Sequence, residues 1–334
     1  MKSMRSKQQG IGLVEILIAM VLGLLLTIAM AEVFLNSKQA YRSQEAMARV
    51  QENGRFTMEI MSREIRMAGF QGCANLDSAV PNVIADPAPG MGFSASEAIL
   101  GYELSDSGTW SSTYASPPAS VLKGTDSTIV SRASDCGAYL VGNLASDNAN
   151  IQINPDNTCN FKQNEILIIS DCKNTDVFRA SSVSKGSSKI TIAHANNVNT
   201  TNRLSTLYGE DAQIYKFLQT EFFIRENSYG QPTIYMRENG GTPLELIEGV
   251  EGMEIQYGED TTSDYAADAY VDAPAVADWS KVVGVRLTIF LRSIRDNVAL
   301  SERAYTYNGG RSSMSDKRLT QSITATIGLR NRAP

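Results

Sequence analysis

The 334-residue chain has one histidine, His194, only four cysteines, and no proline before Pro81. Each shortage excludes something. The lone histidine has no neighbours at zinc-ligand spacing, and no two of Cys73, Cys136, Cys159 and Cys172 form a CxxC pair, so no metal site is expected. Neither a G-x-S-x-G elbow nor a phosphate-binding glycine loop is present, which argues against an enzyme and against a cofactor. Thirty basic residues stand against 36 acidic ones, a net charge of −6, and residues 1–10 hold three of the cations and no acid. The chain beyond residue 10 is therefore more acidic still. With no basic groove or aromatic–basic strip, nucleic acid is not an expected partner. The want of proline in the first 80 residues leaves a long helix unopposed.

What is there begins with QQGIGLVEILIAM, residues 8–20. From Ile16 to Ala31 no residue is charged, and back to Ile11 the only charge is Glu15. Such a run is long enough to cross a hydrocarbon layer of about 30 Å at about 1.5 Å per residue. Lys2, Arg5 and Lys7 precede it and favour a cytoplasmic N-terminus, with the bulk of the chain outside. An acid in the bilayer centre costs roughly 2.5–3.5 kcal/mol, so Glu15 needs a partner or a position near the interface where it can snorkel. A secretory signal peptide is the rival reading, because Ala29-Met30-Ala31 has the form of a cleavage site. It gives a soluble periplasmic protein beginning at Glu32 and leaves Glu15 unexplained.

The helical pattern continues past the apolar run. Met47, Val50, Gly54, Met58, Met61, Ile65 and Ala68 recur in steps of three and four, and Glu45 with Arg49 and Glu59 with Arg63 stand at i, i+4. One helix from Ile11 to Ala68 is predicted, with Gly69 and Gly72 as the stop. Residues 11–35 form its transmembrane half and 36–68 its amphipathic half. Residues 70–127 read as mostly irregular. After them come strand-like runs, among them QIYKFLQTEFFIRE, PTIYMRE, LELIEGVEGMEIQY and VVGVRLTIFLRS, with Asn239-Gly240-Gly241 as a hairpin signal. Strands and helices do not alternate. The fold class is α+β: one long helix packed on a mostly antiparallel sheet, with residues 69–334 as an exported β-rich domain. In an exported domain four cysteines read as two disulfides, with buried free thiols as the alternative. Three pairings are possible, and the short loop favours Cys159 with Cys172, leaving Cys73 with Cys136. Asp260, Asp264, Asp268 and Asp272 recur every fourth residue; they read as a solvated loop in preference to a calcium-binding helix face.

The basic leader, Gly10, the apolar start, Glu15, the unbroken helix and the β-rich remainder together resemble a type IV prepilin. SKQAYRSQEAMARVQENGRFTMEIMSREIRMAGFQGC, residues 37–73, and the ending TATIGLRNR are similar to PilW-type minor pilins. The resemblance is strong over 8–73 and detectable at 282–332. It implies removal of residues 1–10 by prepilin peptidase after Gly10, methylation of Ile11, and a role for Glu15 in setting subunit register against a neighbour's new α-amino group. Ile11 stands where phenylalanine is usual and Gly12 where Ser or Thr is frequent. It further implies a non-enzymatic minor subunit in the initiation or tip complex of a pilus that drives twitching. Its expected partners are other minor pilins, the major pilin, a tip adhesin and the inner-membrane assembly platform. The expected location is the inner membrane, then the pilus at the cell surface. The alternative within this class is a type II secretion pseudopilin.

Overall fold

The structure, a computed structural model, describes residues 12–73, 80–86, 98–112, 114, 116–299, 301, 303–307, 310–314 and 316–332. A helix α1 runs unbroken over Leu13–Arg66, with Gly12 as N-cap and Met67 as C-cap. At about 1.5 Å per residue it is roughly 80 Å long. The predicted glycine stop is present: Gly69 and Gly72 both have positive φ, 74° and 95°, which a Cβ would oppose. Of the predicted stripe, Val50, Gly54, Met58, Met61, Ile65 and Ala68 are buried. Glu45 and Arg49 pair at 3.0 Å, whereas Arg63 turns to Glu64 at 3.8 Å.

Seventeen strands follow among the described residues. They are β1 (Asn82–Val83), β2 (Ile99–Glu103), β3 (Asp126–Tyr139), β4 (Ile151–Ile153), β5 (Ile166–Ser170), β6 (Thr175–Arg179), β7 (Ser182–Lys185), β8 (Ile190–Ala193) and β9 (Gln213–Glu226). Then come β10 (Pro232–Glu238), β11 (Leu244–Glu248), β12 (Val250–Glu259), β13 (Ala269–Asp272), β14 (Val282–Arg292), β15 (Arg303–Tyr307), β16 (Gly310–Met314) and β17 (Thr320–Gly328). The predicted single sheet is four. In the eight-stranded sheet β9 is the spine: β3 lines one edge, while β5 and β10 share the other. β13-β12-β14-β17 form a second, antiparallel sheet, β4-β8-β7 a third, and β15-β16 a hairpin. Among the described residues all strand pairings are antiparallel except β1 with β6.

Two departures from the sequence reading have local causes. LELIEGVEGMEIQY is two strands, because Gly249 takes φ 83° and comes so close to Arg292 that a Cβ there would sit 2.8 Å from its carbonyl oxygen. The stretch 70–127, read as irregular, contains β2, whose alanine- and glycine-rich surroundings hide a five-residue strand. The hairpin at Asn239-Gly240 is as expected, with both residues at positive φ between β10 and β11.

The amphipathic half of α1 lies on the four-stranded sheet. Val285, Leu287, Ile289 and Leu291 alternate on one face of β14 and join Met58, Met61 and Ile65 in the largest core, which also takes in Phe222, Ile224 and Ile234 from the eight-stranded sheet. A second core, with Phe178, Leu167, Ile151 and Ile192, packs the three-stranded sheet onto β5 and β6. At about 25 cal/mol per Å² of apolar surface, these interdigitated faces hold the helix to the domain.

Candidate functional site

The N-terminal end of α1 is built from glycine and one acid. Gly12 is extended and has no side chain with which to cap the helix, and its N–H donates to Glu15 Oε2 at 3.0 Å. Glu15 thus satisfies a backbone donor that the helix leaves open and places a negative charge at the positive end of the macrodipole. This local role was missed by sequence reasoning, although an acid three residues after an N-cap is its signature. Gly10 and Ile11, the predicted cleavage and methylation positions, lie outside the described residues.

From Leu13 to Leu35 the apolar side chains are exposed, and α1 is long and apolar enough to cross a membrane. The hydroxyl of Thr27 donates to the carbonyl of Gly23 at 2.8 Å, so this polar group needs no partner outside the helix.

Further along, α1 is fastened to the sheets. Gln39 Nε2 donates to the carbonyls of Asn297 and Val298 at 3.3 and 3.2 Å, and Asn53 donates to that of Glu248 at 2.9 Å. Gly54 lets the helix approach closely: a Cβ there would strike Ile323 Cδ1 and lie 3.0 Å from Leu291 Cδ1. Near its C-terminal end buried Glu64 accepts from Arg132 of β3 at 2.8 Å. Beyond the cap, Gly69 N–H donates to Ser131 O, and Asn331 to Ala68 O.

Two disulfides complete the fastening, but with a different pairing from the expected one: Cys73–Cys172 and Cys136–Cys159. Chain proximity misled because β5, an extended strand, stands between Cys159 and Cys172 and carries the second to its far end. There Cys172 lies in the β5–β6 turn at φ 70°, where Asp171 accepts the N–H groups of Lys173 and Asn174. Cys73, just past the end of α1, meets it. Cys136 sits where the register of β3 against β9 shifts between Ser134 and Ala138. Such a bulge turns a side chain off the sheet, and Thr158 N–H donates to Cys136 O at 3.0 Å, bringing Cys159 alongside.

The acidic run is no helix. Asp260 accepts the N–H groups of Ser263, Asp264 and Tyr265, and Asp268 accepts those of Thr261 and Thr262. These two carboxylates fold a loop, and backbone hydrogen bonds hold Asp260 below the usual carboxylate range although desolvation opposes them. Asp272 lies elsewhere, in β13, and lines a cavity of about 640 Å³ with Glu103, Asp126 and Glu254. Burial pushes the Asp126 carboxyl well up, Glu103, Glu254 and Asp272 add to the push, and the Ile255 N–H opposes it. His194 is buried, with Nε2 3.0 Å from Ala149 O and its ring edge-on to Phe178. Among the described residues no three His, Cys, Asp or Glu side chains converge as metal ligands.

Residues 221–331 match the family model described as Type IV Pilus-assembly protein W, and residues 5–31 match the Prokaryotic N-terminal methylation motif. The chain thus carries a PilW-type region together with a prepilin-type N-terminal motif. A type IV-like pilin from Thermus thermophilus aligns at 11% identity and TM-score 0.34, covering 85% of this chain and 99% of that one. No curated protein matches. The PilW match covers the part of the domain that carries α1: β12, β14 and β17 all fall inside it, together with the β11 edge beside the helix. The stretch 37–73 lies outside both matches, as do β1 to β8.

Proposed function

We propose that this chain is a non-enzymatic minor pilin, taking part in initiation or capping of a type IV pilus. In this reading prepilin peptidase cleaves after Gly10 and methylates Ile11. The apolar half of α1 then holds the subunit in the inner membrane, N-terminus inward and domain in the periplasm, until it enters the filament with other minor pilins and the major pilin. One observation carries the reading: a single 54-residue helix joins an exposed apolar run directly to a domain face. Nothing breaks it, so the anchor and the domain move as one body when a subunit is extracted.

Glu15 supplies the register. In the isolated chain its carboxylate rests on its own Gly12 N–H, a contact that keeps the acid tolerable in lipid. In the filament a neighbour's methylated α-amino group replaces that donor, and two unit charges at about 4 Å are worth roughly 4 kcal/mol at an effective dielectric of 20. Glu15→Ala tests this. The variant should be cleaved and retained in the membrane as well as wild type, yet give few or no pili, and Glu15→Asp should restore part of them. Normal piliation by Glu15→Ala at native expression would sink the register role and leave Glu15 as a helix cap.

A further inference from the structure

We propose that the membrane-facing edge of the domain is a cationic collar that rests on anionic phospholipid headgroups. The inference depends on reading α1 as a membrane anchor and adds to it a second contact with the bilayer. Leu35 ends the exposed apolar run, and the next exposed large hydrophobic residue is Tyr41. Gln39, only four residues later and so about 6 Å further along the axis, donates to the carbonyls of Asn297 and Val298. The headgroup layer on each side of a bilayer is about 5–8 Å deep. The loop after β14 is therefore pinned to α1 at headgroup depth.

The turn before β17 lies at the same level, since Asn297 N–H donates to Asp316 O and Ala299 N–H to Lys317 O. Val298, Ala299 and Leu319 close over Ala46 and Met47 of the helix, which fixes both segments firmly. This edge presents mostly positive charge to the membrane. Lys38, Arg42, Arg295 and Lys317 are exposed, and none has an ion-pair partner among the described residues. The neighbouring acids are fewer: Glu45 is engaged by Arg49, and Asp316 by Arg318 at 2.5 Å, leaving Asp296 and, on the helix before Lys38, Glu32 exposed against the four cations. Lys38 and Arg42 stand one turn apart on one face of α1, and helical side chains lean toward the N-terminus, which here is toward the bilayer. Arg42 and Arg295 line one cavity of about 600 Å³ between helix and loop.

Charge complementarity selects the occupant. The chain as a whole is net −6, so a locally cationic edge is an exception, and it occurs where the axial distance puts phosphate. Resting there would hold the helix at one depth and one rotation, presenting the domain consistently for assembly.

The test uses the full chain reconstituted in phosphatidylcholine vesicles, with and without about a third phosphatidylglycerol. A fluorophore on Asn297→Cys is quenched by headgroup-nitroxide lipid, and a second preparation labelled at Leu24→Cys is quenched by acyl-chain nitroxide. Quenching at 297 should rise with phosphatidylglycerol and vanish in about 0.5 M salt. In K38Q/R42Q/R295Q/K317Q it should fall to the phosphatidylcholine level, the contacting population dropping about fivefold per cation removed. Quenching at 24 with a response at 297 that ignores lipid charge, salt and the four cations overturns the collar alone. Absence of quenching at 24 overturns the anchor, and the collar with it. Should the quadruple variant keep its headgroup contact while losing cross-links to neighbouring pilins, the cations serve a protein partner and the lipid proposal is wrong.

Discussion

Removing the Cys73–Cys172 bond should weaken the domain more than removing Cys136–Cys159, and the pairing seen in the structure sets the difference. Chain-entropy arguments give about 4.7 kcal/mol for the 99-residue separation of the first bond and about 3.4 kcal/mol for the 23-residue separation of the second. The first also joins the end of α1 to the β5–β6 turn, so its loss releases a covalent tie between the helix and the eight-stranded sheet. Gly69 N–H to Ser131 O and the Arg132–Glu64 pair stay in place, so the fold should survive. In urea unfolding of the unreduced protein, C73S/C172S should therefore lose about 1 kcal/mol more than C136S/C159S. Trypsin gives the pairing directly. Cleavage at Arg66, Lys123, Arg132, Lys162 and Lys173 places Cys73 in 67–123, Cys136 and Cys159 together in 133–162, and Cys172 in 163–173. The structure requires 67–123 joined to 163–173 alone. If all three peptides are linked, or C136S/C159S proves the more damaging pair, the fastening of α1 through Cys73 is wrong.

Gly54→Leu should cost about 1–3 kcal/mol of stability by overpacking against Ile323 and Leu291, read as a lower urea midpoint; a neutral result would mean that helix and sheet are not in close contact there. Stability should also depend on Glu221, whose carboxyl burial pushes up to about 7 despite the opposing pull of Arg237. Because its folded pKa lies above the ordinary value of 4.5, the folded state keeps a proton that the unfolded chain releases. This contribution is full below pH 4.5 and is lost as pH rises to about 7, roughly 3 kcal/mol in all. Glu221→Gln should flatten that part of the pH profile of the urea midpoint, and an unchanged slope would refute the assignment.

The helix was legible because a long heptad-like stripe and the absence of proline are both local signals, and the stop at Gly69 is chemical. Burial of Met58, Met61 and Ile65 follows from spacing alone. The sheets were legible as strands and not as sheets. Nothing within QIYKFLQTEFFIRE says that its first half pairs with β5 and its second with β10, since that choice is made by residues tens of positions away. The disulfides failed for the same reason: a short loop predicts proximity only when no strand runs through it. Within the candidate site, Glu15 was visible as an anomaly of charge, whereas its bond to Gly12 N–H depends on the extended N-cap. The cationic edge was hidden because Lys38 and Arg42 are far in sequence from Arg295 and Lys317, and the net negative charge of the chain conceals them.

The central claim is that the apolar half of α1 stays attached to the domain as a processed pilin helix, and the mass of the mature N-terminal peptide tests it most directly. The expected result is a peptide that begins at Ile11 and carries one methyl group, with Gly10→Val left as full-length precursor in the membrane. A mature chain beginning at Glu32 would contradict it, because the segment proposed to anchor and register the subunit would then be a discarded signal sequence.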